Sequence, residues 1–249
     1  AASGIELLDT AQAYGTAETV LGSCWPRNAP RRMISKLPAK APPESWETNL
    51  FTSLKRLRVE KLDGYLLHRA SDLLAPNGED LLKWLESVRE RGLIERIGIS
   101  IYEADELEGL PLDRLQLVQL PLSIYNQGLI RNGVVNKLND LGIAVHMRSV
   151  LLQGLILQAP EHWPDHISHA FRDHHAQWLE TLHKDGVSPL AGALGFARSC
   201  KGVEAVLVGV VTIQELAQIV KAWRQIDISS TNTLFDWGWE NSMDLDPRH

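Results

Sequence analysis

Disulfides, membrane spans and nucleic-acid surfaces find little support in this chain. Its 249 residues hold two cysteines, Cys24 and Cys200, far apart in sequence. A disulfide framework needs more, so reduced thiols and a cytoplasmic setting are expected. No apolar run approaches the roughly 20 residues of a membrane helix, and no signal peptide is read at the start. Net charge is −6 with no long basic run, which excludes the electrostatic footprint of nucleic-acid binding. Aromatics make up only 6%, yet eight of them are tryptophan. Of these, Trp46, Trp84, Trp178 and Trp223 fall in helical patterns, where packing against a sheet is the simplest use.

What remains is an ordinary globular composition, 44% hydrophobic and 22% charged. It is arranged as strand-like runs alternating with helix-like ones. Strands are expected at about 4–8, 32–36, 62–67, 96–100, 115–120, 143–149 and 203–209. Helices are expected over 17–22, 46–58, 78–92, 104–110, 134–141, 176–184, 189–199 and 213–223. Trp46, Leu50, Leu54 and Leu57 recur at helical spacing, and Leu81, Leu82, Leu85 and Val88 share one helical face. Alternating βα units whose strands are apolar throughout imply an α/β fold with a parallel sheet covered by helices. Closed on itself, such a sheet is a (β/α)8 TIM barrel. A doubly wound sheet would call for a Gly-rich first turn, and none is present.

Three consecutive strands finish on residues suited to one chemistry. The first ends at Asp9 and its loop presents Tyr14; the next two end at Lys36 and His68. Barrel chemistry gathers at the C-terminal ends of strands, where all four lie. A phenol is a weak acid, with an ordinary pKa of about 10. An ammonium beside it stabilises phenolate, so Lys36 near Tyr14 eases proton donation. Asp9 supplies the counter-charge for Lys36. His68 can hydrogen-bond a carbonyl oxygen or relay the proton. Taken singly, the four are a capping acid, a surface tyrosine, a solvated lysine and a core histidine. Their joint order carries the chemistry. In order and placement the set resembles the aldo-keto reductase family, whose catalytic Asp, Tyr, Lys and His occupy those elements.

The resemblance covers nearly the whole chain and implies NADP or NAD as cofactor. It implies that Ser100 of Gly98-Ile99-Ser100 and Gln119 hold the nicotinamide carboxamide. Arg148, Ser149, Leu151 and Gln153 then occupy the seventh-strand position that contacts the pyrophosphate. Gly209, Thr212 and Glu215 fall in the eighth-strand phosphate loop and its helix start, a natural phosphate site. Several positions depart from the family's habit. Ile101 stands where an asparagine is common, Arg148 where an aromatic stacks, and Gly209 where a basic residue is frequent. Glu215 replaces an arginine for the 2′-phosphate and Ile219 an asparagine for adenine. A carboxylate near a phosphate is repulsive, so weakened NADP preference is expected. The seventh-strand run is similar to members associated with sugar metabolism.

In the family a further strand and helix precede the Asp-bearing strand. The expectation is therefore a barrel domain over 1–249 lacking the first βα unit. A seven-stranded ring has two unpaired edges, so a homo-oligomeric partner or a local rearrangement is expected to cover the seam. Residues 158–175 read as an irregular, His- and Pro-bearing insertion, and 225–249 as a polar tail near the pocket. His162 and His166 could share a helical face, but Pro164 intervenes and no acidic or thiol partner has metal-site spacing, so no metal is expected. Trp237 or Trp239 either covers the site or anchors the tail. The function implied is NAD(P)-dependent interconversion of a small-molecule aldehyde or ketone with its alcohol. The rival is a binding or accessory protein on the same scaffold, with cofactor handling degraded.

Overall fold

The structure, a computed structural model, describes residues 4–25, 32–226 and 234–245. The parts of the expected tail at 227–233 and 246–249 lie outside the described residues. Seven parallel strands follow in chain order: β1 (Leu7–Asp9), β2 (Arg32–Leu37), β3 (Leu62–Leu67), β4 (Ile94–Ser100), β5 (Leu117–Pro121), β6 (Ala144–Arg148) and β7 (Ala205–Val206). Between them run α1 (Ala17–Cys24), α2 (Trp46–Leu57), α3 (Gly78–Glu90), α4 (Gly128–Arg131) and α5 (Val134–Asp140). After β6 come α6 (His169–Lys184) and α7 (Pro189–Ser199), and after β7 come α8 (Ile213–Gln225) and α9 (Ser242–Leu245). This is the (β/α)8 TIM-barrel fold, with seven of its strands among the described residues. None of the described helices is long and apolar enough to cross a membrane. Contacts divide the chain into two compact units, Ala1–Gln119 with Leu138–Ala144, and Leu120–Lys137 with Val145–His249.

In the first unit the strands stack their side chains in layers. Ile34, Leu66 and Leu117 form a buried apolar cluster, with Leu7 and Ala144 packed against it. Gly98 takes the β4 place in this layer, because a Cβ there would lie 2.6 Å from the Leu117 carbonyl oxygen. Side chains alternate faces along a strand, so residues two places on return to the same face. Those residues are Asp9, Lys36, His68, Ser100 and Gln119. A polar layer is thus set on an apolar floor by spacing alone. Outside the strands, α1 meets α2 closely enough that a Cβ on Gly22 would lie 2.1 Å from the Arg56 carbonyl.

Two expected elements, one outside the sheet and one within it, are corrected. Residues 104–110 form only a 3-10 turn over Ala104–Leu107. Glu106 Oε1 accepts from the Tyr102 and Glu103 backbone N–H groups at 2.7 and 3.0 Å, fixing a start. Gly109 at φ +72 and Pro111 then prevent propagation. The last strand is shorter than expected. β7 is held by the pairs His146↔Ala205 and Met147↔Val206 and by Leu207 N–H to Met147 O at 2.8 Å. From Gly209 onward the backbone leaves the ladder as an exposed loop.

The second unit is built around rings. The irregular stretch ends at Ser168, whose hydroxyl caps α6 by accepting from Phe171 N–H at 3.2 Å. Residues 169–175 are therefore helix rather than loop. His175 is fully buried, stacked on Trp163 at 4.5 Å between ring centroids. Its Nε2 lies 2.9 Å from the Gln158 carbonyl, which can only accept. Nδ1 must then accept from the Tyr125 hydroxyl, 2.6 Å away. Trp239 stacks on Phe171 at 5.1 Å and donates its backbone N–H to Tyr125 O at 2.7 Å. Asp244 receives Ser168 N–H at 2.9 Å, Ser168 Oγ at 2.8 Å and Trp239 Nε1 at 3.0 Å. Trp239 therefore anchors the tail.

Burial pushes the His175 imidazole down to about 4 from 6.5. Folding keeps it neutral, whereas the unfolded chain takes up a proton below about pH 6.5, so the unfolded state gains as pH falls. Its contribution is intact above about pH 6.5 and is lost progressively toward 4. Urea unfolding across this window should show wild type losing stability more steeply than His175→Gln. Parallel profiles would contradict the assignment.

Candidate active site

Lys36 is the centre of the polar layer. It is 1% exposed, and its ammonium donates to Asp9 Oδ1 at 2.9 Å, Asp9 Oδ2 at 2.7 Å and Thr10 O at 2.9 Å. An ammonium has three N–H donors, matching these three acceptors. Gln119 Nε2 donates to Asp9 Oδ1 at 2.8 Å. A carboxylate accepts only, so the Gln119 amide must turn its nitrogen to Asp9 and its oxygen away.

Tyr14 and His68 complete the group. Lys36 Nζ stands over the Tyr14 ring, 5.4 Å from its centroid, and the Tyr14 and His68 rings meet edge to face at 5.9 Å and 88°. Tyr14 is 50% exposed, so a solvent-borne reactant can reach it. Two other phenols are unsuited to this work. Tyr65 and Tyr125 are fully buried, and burial pushes both far above the ordinary phenol value. The structure thus brings Asp9, Tyr14, Lys36, His68 and Gln119 into one connected group. Ser100 ends β4 on the same face and is buried.

The remaining expected site residues lie in the second unit. Arg148 ends β6 and its Nη1 donates to Ser149 Oγ at 3.3 Å. Ser149, Leu152 and Gln153 have φ of +62°, +45° and +55°, and Gly154 has +91°. Non-glycine residues rarely enter this region, and such strain collects at binding sites. Leu151 and Leu152 open the 3-10 turn carrying the last three of these angles. Gly209 has open space where a Cβ would stand. Thr212 caps α8, its hydroxyl accepting from Glu215 N–H at 3.1 Å. The Glu215 carboxylate accepts in return from Val211 N–H at 2.9 Å. Glu215 thus braces the chain one residue ahead of the Thr212 cap, and Ile219 is buried.

Each unit's residues can be weighed separately against one part of a nicotinamide dinucleotide. The amide oxygen of Gln119 and the Ser100 hydroxyl suit a carboxamide. The exposed α8 start suits a phosphate by its dipole, but a carboxylate sits there and already takes the Val211 N–H just ahead of the cap. Among the described residues no cluster of three or more His, Cys, Asp or Glu could hold a metal ion. Two participants escaped the sequence: the Thr10 carbonyl, which has no side-chain signature, and Gln12, an unremarkable loop glutamine by type. Gln12 Nε2 donates to Asn49 O at 2.5 Å and Ser53 Oγ at 2.9 Å.

Comparisons with known proteins bear on the family and the fold. The sequence model of the Aldo/keto reductase family matches residues 1–235. No curated protein matches. Among solved structures, an aldo-keto reductase from Bacillus halodurans, AKR11C1 in its holo form, superposes with a TM-score of 0.78 at 20% identity, over 98% of this chain and 86% of its own. An aldo-keto reductase from Klebsiella pneumoniae in complex with NADPH gives 0.71 at 18% identity, over 98% and 84%. A thermostable aldo-keto reductase, Tm1743, in complex with the inhibitor epalrestat gives 0.72 at 21%, over 94% and 83%.

Proposed function

Because the chain belongs to the aldo/keto reductase family, we propose that it interconverts an aldehyde or ketone with its alcohol, using Tyr14 as general acid and base. The observation that carries this is the buried Lys36 ammonium, held by Asp9 and standing 5.4 Å from the half-exposed Tyr14 ring. A bound nicotinamide would supply the hydride. The chain's own residues handle the oxygen. Tyr14 gives its phenolic proton to the carbonyl oxygen as charge develops there, and the nearby ammonium steadies the phenolate left behind. Asp9 keeps that ammonium charged inside an apolar surrounding. His68, edge-on to Tyr14, orients the carbonyl oxygen toward the phenol.

Ser100 and Gln119 would hold the carboxamide end of NADP or NAD, with Arg148, Ser149, Leu151, Gln153, Gly209 and Thr212 toward the phosphates. Glu215 bears on the choice between cofactors. Its carboxylate sits at the α8 start, where a 2′-phosphate would meet like charge. NADPH should therefore bind less than about tenfold tighter than NADH, an advantage of roughly 1.4 kcal/mol at most. Glu215→Arg should shift the ratio toward NADPH. Titration of tryptophan fluorescence with each dinucleotide measures both. NADPH held at least about tenfold tighter by wild type would overturn the assignment.

The same carboxylate favours the second reading, a scaffold that has lost catalytic cofactor use. The fluorescence titration separates the two. If neither dinucleotide binds at millimolar concentration, the enzyme reading fails.

A further inference from the structure

We propose that Gln12 is a positioning residue, tying the loop that carries Tyr14 to α2 and so fixing that phenol relative to Lys36. The inference rests on the reading of Tyr14 as proton donor. Residues 10–16 link β1 to α1; Thr10 at the start is tied to β2 by its N–H to Ile34 O at 3.0 Å and by Lys36 Nζ to its carbonyl at 2.9 Å, whereas beyond Thr10 the backbone bonds, Tyr14 N–H to Ala11 O and Ala17 N–H to Tyr14 O, are internal. Internal bonds shape a loop without locating it against the sheet. Gln12 does reach outward. One amide nitrogen donates both to the Asn49 carbonyl of α2, at 2.5 Å, and to Ser53 Oγ, at 2.9 Å, with Ser53 fully buried.

A second tether lies on the other side of Tyr14. Glu18, 1% exposed in the first turn of α1, accepts from Ser35 Oγ at 2.7 Å and pairs with Arg56 Nη1 of α2 at 3.4 Å. Ser35 is the chain neighbour of Lys36. Tyr14 is therefore held before and after, once to α2 and once to the strand that delivers the ammonium. The Coulomb effect of Lys36 on the phenol varies with distance, and Gln12 is the tether closer in sequence.

Gln12→Met keeps length and volume but removes the donor. Gln12→Glu keeps shape but sets a carboxylate against the Asn49 carbonyl. The readout is the near-ultraviolet absorbance of tyrosinate during alkaline titration of the free protein, with Tyr14→Phe as the difference reference. Both variants should raise the Tyr14 titration, weakening its ionisation about threefold or more, roughly half a pH unit. In turnover they should lower kcat about tenfold with KM within about twofold, the mark of a misplaced group rather than lost binding. Ser53→Ala, which removes one acceptor and leaves the loop sequence intact, should give an intermediate shift even if the Gln12 variants fold poorly. An unmoved Tyr14 titration in Ser53→Ala and in any Gln12 variant that folds would overturn the proposal. If no carbonyl is turned over by wild type, the function fails, while the titration in the free protein still decides Gln12.

Discussion

Tyr14→Phe should bind NADPH and NADH as wild type does and lose about 10³-fold in kcat, within the span that general acid–base groups contribute. The substitution is unusually clean here. Phenylalanine keeps the ring that meets His68 edge to face and that stands beneath Lys36 Nζ. Only the hydroxyl goes, so the loss reports proton transfer rather than packing. Steady-state decay of nicotinamide absorbance with an aldehyde gives the rate, and fluorescence quenching gives the binding. A variant that keeps activity within about tenfold of wild type would remove Tyr14 from the chemistry.

Lys36→Met should abolish turnover and also destabilise the fold by about 3–5 kcal/mol. Lys36 is 1% exposed and the Asp9 side chain 16%, so removing the cation strands a carboxylate whose remaining neutral donor is Gln119. An exposed pair would contribute only about 0–1 kcal/mol. The double variant Asp9→Asn, Lys36→Met removes both charges together. It should regain most of the stability and none of the activity, because the ammonium that eases phenol ionisation is still missing. Urea unfolding of wild type and the variants measures this. A single-variant cost below about 1 kcal/mol would show that the pair is effectively solvated.

Much of this site is written in a period of two. Leu7, Ile34, Leu66 and Leu117 form the apolar layer, and Asp9, Lys36, His68 and Gln119 each follow two residues later. Alternation along a strand is local, so the sequence displays it. What it does not display is which polar neighbour takes which lone pair. The Gln119 to Asp9 bond spans 110 residues, and the Gln12 tether depends on how α1 and α2 pack at Gly22. The second unit shows the same limit. His174 and His175 read as part of a polar insertion because their burial comes from Trp163, Tyr125 and the distant tail. His174 Nε2 meets the Trp237 carbonyl at 3.0 Å, across 63 residues. Residues 104–107 turn on a subtler contest, in which the Glu106 carboxylate secures the first turn and Gly109 forbids a second. Glu215 was legible as an acid at a phosphate position, but its bond to the Val211 N–H ahead of α8 required that turn in place.

The pH profile of nicotinamide-dependent carbonyl reduction tests the proton-donor assignment most directly. If Tyr14, sharpened by Lys36, is the acid, the wild-type rate is level at low pH. It then falls about tenfold per unit above a single ionisation, and that falling limb is absent from the residual rate of Tyr14→Phe. A falling limb that survives in Tyr14→Phe would contradict the account.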